Sequence, residues 1–182
     1  PAGSAYTITF EFSHPANDIK LNDQMAVNSG DLTIQMPLTD ILTLNGQHST
    51  RMLVVSAGAS LTVDGLTFIN GQDGNGGAIY NLGSLKVLNS MFRDNVSISS
   101  SGAIYSSGGT LDVNSSTFYN NQADSAGGAI GNYGGTVTVT NSTFYENSTG
   151  PWGGGAIYNR NAARSTSGAS DALPAGDASD DL

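Results

Sequence analysis

The sequence of 182 residues contains no cysteine, so neither a disulfide framework nor a thiolate metal site is available to it. Basic residues are also scarce: 6 Lys and Arg stand against 15 Asp and Glu, which gives a formal net charge of -9. This balance disfavours binding to nucleic acid or to an anionic membrane surface. No apolar run reaches the roughly 18 residues that a membrane-spanning helix needs, so we expect no membrane insertion by this segment.

Glycine, in contrast, is abundant, with 24 copies, and part of it falls in a recurring four-residue word, Gly-Gly-Ala-Ile. Its copies follow one another in steps of 25, 26 and 27 residues and begin at Gly76, Ser101, Gly127 and Gly154. A second word, Phe-x-x-Asn, alternates with the first, and its copies begin at Phe68, Phe92, Phe118 and Phe144. A period of this length with strand-type residues predicts a stacked solenoid.

Alignment of the repeats places apolar residues in columns that alternate with polar positions, as expected for strands with one face in a core. Two such columns are Leu61, Leu85, Leu111, Val137 and, two residues on, Val63, Val87, Val113, Val139. The Phe of the second word and the Ile of the first supply two more columns. We therefore predict an all-β fold: a single-stranded parallel β-helix of about six coils with three short strands per coil.

Asparagine also recurs in columns at predicted corners. The columns are Asn95, Asn121, Asn147 and Asn81, Asn132, Asn159, with Ser106 substituting in the second. Stacked at about 4.8 Å, identical amides can hydrogen-bond along the axis, which predicts ladders that satisfy corner backbone groups.

The repeats divide the chain into three predicted regions. Residues 1–60 are an N-terminal cap with irregular coils, 61–160 are the regular β-helix repeats, and 161–182 are a disordered or non-repeat tail. The repeat stops just after the Ile157 strand without a recognisable cap for the strand edges. We therefore expect either continuation in a longer solenoid or end-to-end self-association through the uncapped C-terminal coil.

The paired words resemble the repeats of the polymorphic outer-membrane protein family and of related adhesin-like, autotransporter-like bacterial proteins. The resemblance covers about residues 61 to 159, with Ser101 and Gly71 as departures from the two words. It implies a right-handed parallel β-helix that is secreted or displayed at the bacterial cell surface, outer membrane associated. It also implies a non-catalytic, adhesin-like role, with a glycan or a host or cell-surface protein as partner.

Two outward columns are rich in tyrosine and are the candidate ligand-binding positions. They are Ile69, Arg93, Tyr119, Tyr145 and Tyr80, Tyr105, Gly131, Tyr158. Aromatic rings along a rod can bind sugars or a protein partner, and Arg93 is placed to lie on Tyr119 as a cation–π pair. The alternative interpretation is that the rings only stabilise the stack, as cross-strand pairs do in any sheet.

Catalysis has weaker support. Asp94 and Glu146 lie in one column two coils apart, roughly 9 to 10 Å, which is loosely compatible with an inverting glycosidase pair. The repeat places no Arg or His beside them, so we assign no catalytic residue and keep a pectin-lyase-like polysaccharide lyase or hydrolase as the alternative function. The corners are short, which favours a binding rod over a walled cleft. His14 and His48 occur singly, so neither a metal site nor a cofactor is expected.

Overall fold

The computed structural model describes residues 5–9, 17–37, 41–151, 153–160 and 170–171. The regular structure in these ranges is entirely β-strand, and equivalent strands of successive coils pair in parallel. Six coils stack in this way. The predicted all-β parallel solenoid is thereby confirmed.

The strands form four sheets that run along the stack. Sheet A contains β1 (Ala5–Thr9), β4 (Asp31–Gln35), β7 (Ser60–Asp64), β11 (Ser84–Leu88), β15 (Thr110–Asn114) and β19 (Thr136–Thr140). Sheet B contains β2 (Asp18–Lys20), β5 (Leu42–Asn45), β8 (Leu66–Ile69), β12 (Met91–Arg93), β16 (Thr117–Tyr119), β20 (Thr143–Tyr145) and β23 (Ser170–Asp171). Sheet C contains β3 (Met25–Val27), β6 (Leu53–Val55), β10 (Ile79–Asn81), β14 (Ile104–Ser107), β18 (Ile130–Tyr133) and β22 (Ile157–Asn159).

A short fourth sheet lies between sheets B and C along each of the last four coils. This sheet D contains β9 (Gln72–Asn75), β13 (Val96–Ser100), β17 (Gln122–Ala123) and β21 (Ser148–Thr149). The three predicted strands per coil are therefore present throughout. The later coils add one brief strand at the corner that follows the Phe-x-x-Asn word.

The predicted inward columns line one continuous hydrophobic core. The two aliphatic columns of sheet A range from 0% to 7% exposed. The phenylalanines of the repeat stack face to face, with centroid distances of 4.5, 4.8 and 4.7 Å along Phe68, Phe92, Phe118 and Phe144. These distances match the inter-strand spacing of a sheet, so each ring packs on its equivalent in the next coil.

Val113 tests this assignment of inside and outside. It is fully buried in β15 and lies in register between Val87 and Val139. Replacing it by Asp is expected to abolish cooperative thermal unfolding, because the carboxylate would be buried without a partner. Circular dichroism melting checks this, with the outward-facing Asp112→Asn as the control. A parent-like melting curve for Val113→Asp would contradict the assignment.

The two glycines of Gly-Gly-Ala-Ile have different physical roles. The first position has positive φ in every copy, 65°, 67°, 70° and 71° at Gly76, Ser101, Gly127 and Gly154. The second position lies against the next coil: a Cβ added at Gly102 would overlap the backbone carbonyl of Gly128. At the first position the nearest backbone atom belongs to the same coil, the carbonyl oxygen of Ile79 for Gly76 and of Ile130 for Gly127. Ser101 adopts the left-handed backbone of that position at some cost.

The predicted asparagine ladder is confirmed. The Asn95 side-chain amide donates to Asn121 Oδ1 at 2.9 Å, and that of Asn121 donates to Asn147 Oδ1 at 2.9 Å. The side-chain amides of Asn95, Asn121 and Asn147 also donate to the carbonyls of Phe68, Phe92 and Phe118, respectively. In the second column Asn81 donates to Ser106 Oγ at 3.0 Å and Asn132 to Asn159 Oδ1 at 2.9 Å.

A serine ladder at the corner between sheets A and B was missed by sequence reasoning. The backbone N–H of Ser90 donates to Ser116 Oγ, and that of Ser116 to Ser142 Oγ, at 3.2 and 3.1 Å. Each serine hydroxyl in turn donates to the backbone carbonyl two residues earlier in the sequence. The signal was a serine two residues before each of the last three repeat phenylalanines.

The ends of the chain are described only in part. β1 is the outermost strand of sheet A, with Tyr6 and Ile8 65% and 43% exposed. Within the predicted tail, Ser170 and Asp171 pair with Thr143 and Phe144 of β20. The rest of the tail, 161–169 and 172–182, lies outside the described residues, as does His14. The three predicted regional boundaries therefore stay predictions.

Candidate binding surface

The outer face of sheet B carries two columns of side chains. In the three-residue strands β12, β16 and β20 the central Phe points into the core, so the residues on either side of it point outward. The register aligns one column as Thr43, Thr67, Met91, Thr117, Thr143 and the other as Asn45, Ile69, Arg93, Tyr119, Tyr145. Ile69 is only 8% exposed, so the second column offers a ligand surface only from Arg93 onward.

Tyr119 and Tyr145 form a stacked pair, with ring centroids 4.5 Å apart and an interplanar angle of 22°. Tyr145 is 37% exposed. The negative charge of Glu146 and its hydrogen bond with the phenol raise the pKa of Tyr119 above its usual value. The pair is therefore an exposed aromatic surface with a carboxylate at its edge.

Arg93 and Asp94 form an ion pair beside these rings. Arg93 Nη1 lies 2.6 Å from Asp94 Oδ2, and the Asn120 amide donates to Asp94 Oδ1 at 2.7 Å. The expectation that no Arg lies beside this carboxylate is wrong, because the left-handed corner at Asp94, with φ of 58°, lets it meet the preceding guanidinium. The cation–π contact of the described residues joins a different pair, Arg51 and Tyr80.

The second tyrosine column, on sheet C, is more continuous than the sequence indicated. Its centroid distances are 5.1, 4.6 and 5.4 Å along Tyr80, Tyr105, Tyr133 and Tyr158. Tyr133, two residues after Gly131 and on the same face of β18, fills the gap in the predicted column. A side chain at Gly131 would overlap Ser101 Oγ, which is buried without a hydrogen-bond partner.

This sheet C ladder uses most of its ring faces internally. Tyr80 stacks on Tyr105, and the guanidinium carbon of Arg51 lies 5.0 Å from the centre of the Tyr80 ring. Arg51 also pairs with Asp73 at 2.5 Å, and burial lowers its pKa. Burial raises the pKa of Tyr105, with a further contribution from Tyr80. Because stacking covers the faces, Tyr80 and Tyr105 present edges and hydroxyls to solvent.

A groove of about 280 Å³ lies on the other column of sheet B. Its floor includes Thr67, Met91 and Thr117, and Pro37 and Ile41 form a wall. Pro37 and Ile41 lie between β4 and β5, on either side of residues 38–40, which fall outside the described residues. At the equivalent corner of the next coil, β7 and β8 are joined by a single residue.

In the ranges that the structure describes, no three His, Asp or Glu side chains come together in a way that could hold a metal ion. Over the same ranges, no helix is both long and apolar enough to cross a membrane. The side chains of Asp94 and Glu146 are engaged by Arg93, Asn120 and Tyr119 on an exposed corner. Their contacts are those of a surface polar network.

Comparison with known families identifies the repeats. The model described as the Chlamydia polymorphic membrane protein (Chlamydia_PMP) repeat matches residues 115–133 and 141–160. Each matched segment contains one Phe-x-x-Asn and one Gly-Gly-Ala-Ile word. Neither a curated protein sequence nor a solved structure matches the chain. The match implies an outer-membrane or surface location and an adhesin-like role. With the fold it confirms the predicted resemblance: the last two coils of this β-solenoid are similar to the polymorphic membrane protein repeat.

Proposed function

We propose that the chain is a non-catalytic, adhesin-like β-solenoid that binds a glycan or a cell-surface protein along the outer face of sheet B. The binding residues proposed are Tyr119, Tyr145 and Arg93, with Tyr80 and Tyr105 of sheet C as a second aromatic stripe. The protein is proposed to act at the bacterial surface or after secretion. End-to-end contact between copies through the sixth coil is a further part of this proposal.

The observation that carries the proposal is the exposed Tyr119–Tyr145 pair next to polar groups. Stacked phenol rings supply apolar area at small entropic cost, because each has few rotatable bonds and its partner already holds it in place. Glu146 and the Arg93–Asp94 pair lie at the same corner and can accept and donate hydrogen bonds to a polar partner. The solenoid beneath is continuously hydrogen-bonded, so the surface is preorganised.

The test is a screen of the purified chain against glycans, polysaccharides and cell-surface proteins, with binding and product release scored together. Binding without turnover is expected, and Tyr119→Ala with Tyr145→Ala should weaken it at least about tenfold, because each ring contributes on the order of 1–2 kcal/mol at an interface. Tyr6→Ala is the matched control, since Tyr6 is exposed at the far end of the stack.

Two results would contradict the proposal. Release of sugar or of an unsaturated product, abolished by Asp94→Asn or Glu146→Gln, would support the alternative carbohydrate-active enzyme. Binding that is unchanged in the tyrosine variants would place the interaction on another surface. Light scattering on the same samples tests self-association, which is expected to give species larger than one chain.

A further inference from the structure

We propose that Asp73 and Gly74 form a site of spontaneous covalent modification, at which the aspartate converts to isoaspartate through a cyclic imide while the chain is folded. The reaction is easiest when glycine follows Asp or Asn, because glycine has no side chain to hinder its nitrogen. The chain contains five such dipeptides, which begin at Asn45, Asp64, Asn70, Asp73 and Asn75. The structure separates Asp73 from the other four. This inference goes beyond the proposed function and does not depend on it.

The backbone nitrogen of the glycine is the nucleophile, and its hydrogen-bond partner differs between the five sites. The Gly74 N–H donates to Oδ1 of the preceding Asp73 at 2.5 Å. The other four glycine nitrogens donate to the next coil at 2.9 to 3.1 Å: Gly46 to Ile69 O, Gly65 to Leu88 O, Gly71 to Asn95 Oδ1 and Gly76 to Ser100 O. At those four sites the coils must open locally before the nitrogen can react.

A β-bulge in sheet D explains why the Gly74 N–H has a different partner. Asp73 pairs with Ser97 and Asn75 with Ser100, so two residues of β13 face the single Gly74 of β9. On the other side of β9 the preceding coil has a turn at 47–49 instead of a strand. The contact from β13 is made to the Gly74 carbonyl oxygen, which accepts from Ser97 Oγ at 2.7 Å. The N–H is thereby left to Asp73.

Ring closure also needs room and a fixed carboxyl group, and this site has both. Outside the adjoining residues, a Cβ at Gly74 would meet no atom within 4 Å, whereas at Gly46, Gly71 and Gly76 it would overlap backbone atoms. The guanidinium of Arg51 pairs with the same carboxyl oxygen, Oδ1, at 2.5 Å. The electrophilic carbon is therefore held next to the nitrogen that attacks it, which favours an intramolecular reaction.

The reaction needs no reagent other than water. The Gly74 nitrogen forms a bond to Cγ of Asp73, and one carboxyl oxygen leaves as water with the proton of the N–H and one proton from solvent. Water then adds to the backbone carbonyl carbon of Asp73, and the bond from that carbon to the Gly74 nitrogen breaks. The main chain now runs through Cβ and Cγ, the former α-carbonyl is the side-chain carboxylate, and a proton returns to solvent.

The product changes the surface around the site. The main chain of β9 is one atom longer and the side chain is shorter, so the carboxylate can no longer keep its contact with Arg51. The Arg51 guanidinium also lies 5.0 Å from the centre of the Tyr80 ring, so the change extends to the tyrosine column of sheet C. Chains that carry isoaspartate are therefore expected to unfold at a lower temperature than fresh chains.

The experiment is incubation of the full chain at physiological temperature in mildly acidic buffer, with samples taken over weeks. Tryptic mapping with electron-transfer fragmentation measures isoaspartate at each site. In the folded chain we expect it to form at Asp73 at least about tenfold faster than at the other four sites, because their nitrogens must first lose a hydrogen bond between coils. In urea the order should reverse in favour of the Asn-Gly sites, because an amide forms the imide more readily than a carboxylate.

Variants test the chemistry at the site. Asp73→Glu should abolish the reaction, because glutamate would have to close a six-membered ring. Gly74→Ala should slow it at least about tenfold, because the methyl group hinders the nitrogen. This methyl group points into open space, so thermal unfolding of Gly74→Ala should match the parent. Asp64→Glu is the matched control: it changes the other Asp-Gly dipeptide and should leave the rate at Asp73 unchanged.

Two results would overturn the proposal. One is isoaspartate that forms first at any of the other four sites while the chain is folded. The other is a rate at Asp73 that is more than about tenfold lower in the folded chain than in urea, since the fold would then protect this site as well. Neither measurement involves a ligand, so failure here leaves the proposed function untouched.

Discussion

A Gly102→Ala substitution is expected to lower the free energy of unfolding by at least about 3 kcal/mol and to leave little folded protein at 37 °C. The added methyl would meet the carbonyl of Gly128 and both backbone polar groups of Gln122, all of which belong to the next coil. These atoms cannot yield as a side chain would, because they are hydrogen-bonded between coils: the Gln122 N–H donates to Asn95 O at 2.9 Å. Urea denaturation measures the loss.

The neighbouring residue supplies the control. Ser101 already has a Cβ, with φ of 67°, and its hydroxyl is buried without a partner. Ser101→Ala removes that hydroxyl, so it is expected to be neutral or stabilising by up to about 1–2 kcal/mol. If the two substitutions had similar effects, close approach of the coils at the second glycine would not be the constraint.

An Asn121→Ala substitution is expected to cost about 4 kcal/mol or more. The Asn121 side chain is fully buried and accepts from both the backbone N–H and the side-chain amide of Asn95, while it donates to Phe92 O and to Asn147 Oδ1. Its removal leaves several buried groups unsatisfied, each at about 1–3 kcal/mol. Chemical denaturation gives the free energy, and hydrogen exchange should show the N–H of Asn95 losing protection.

Asn120→Gly is the matched change for this ladder position. Asn120 precedes Asn121, is exposed, and has φ of 50°, a conformation that glycine adopts without strain. The substitution removes the hydrogen bond to Asp94 but leaves the ladder intact, so we expect an effect below about 1 kcal/mol. A comparable loss for both variants would mean that the ladder contributes little to stability.

Much of the fold could be predicted because the physical reason for each repeated residue is local to one coil and recurs in the next. The inward position of Val113, the stacking of Phe118 and the ladder at Asn121 all follow from a residue facing its own equivalent about 4.8 Å away. The period of the sequence is then the period of the contacts. The serine ladder was equally periodic and could have been found in the same way.

The candidate surface was less predictable because its contacts join unlike residues. Tyr133 completes the sheet C ladder from a position two residues away from the column, and Arg93 turns to Asp94 within its own coil. The groove depends on Pro37 and Ile41, which come from a connection that has no equivalent in the repeat. Alignment of the repeats compares only equivalent positions of successive coils, so it cannot detect contacts between non-equivalent positions.

The close fit between Ser101 and Gly131 favours one order of the coils. Ser101 belongs to the copy of the Gly-Gly-Ala-Ile word that leads into β14, and Gly131 lies in β18 of the next coil, where a side chain would overlap the serine hydroxyl. A coil whose strand carries Tyr at this place, such as the one with Tyr105, would have to displace that hydroxyl if it were set directly above Ser101. Recombination that duplicates or shuffles whole coils is therefore least disruptive where these two residues stay neighbours or change together.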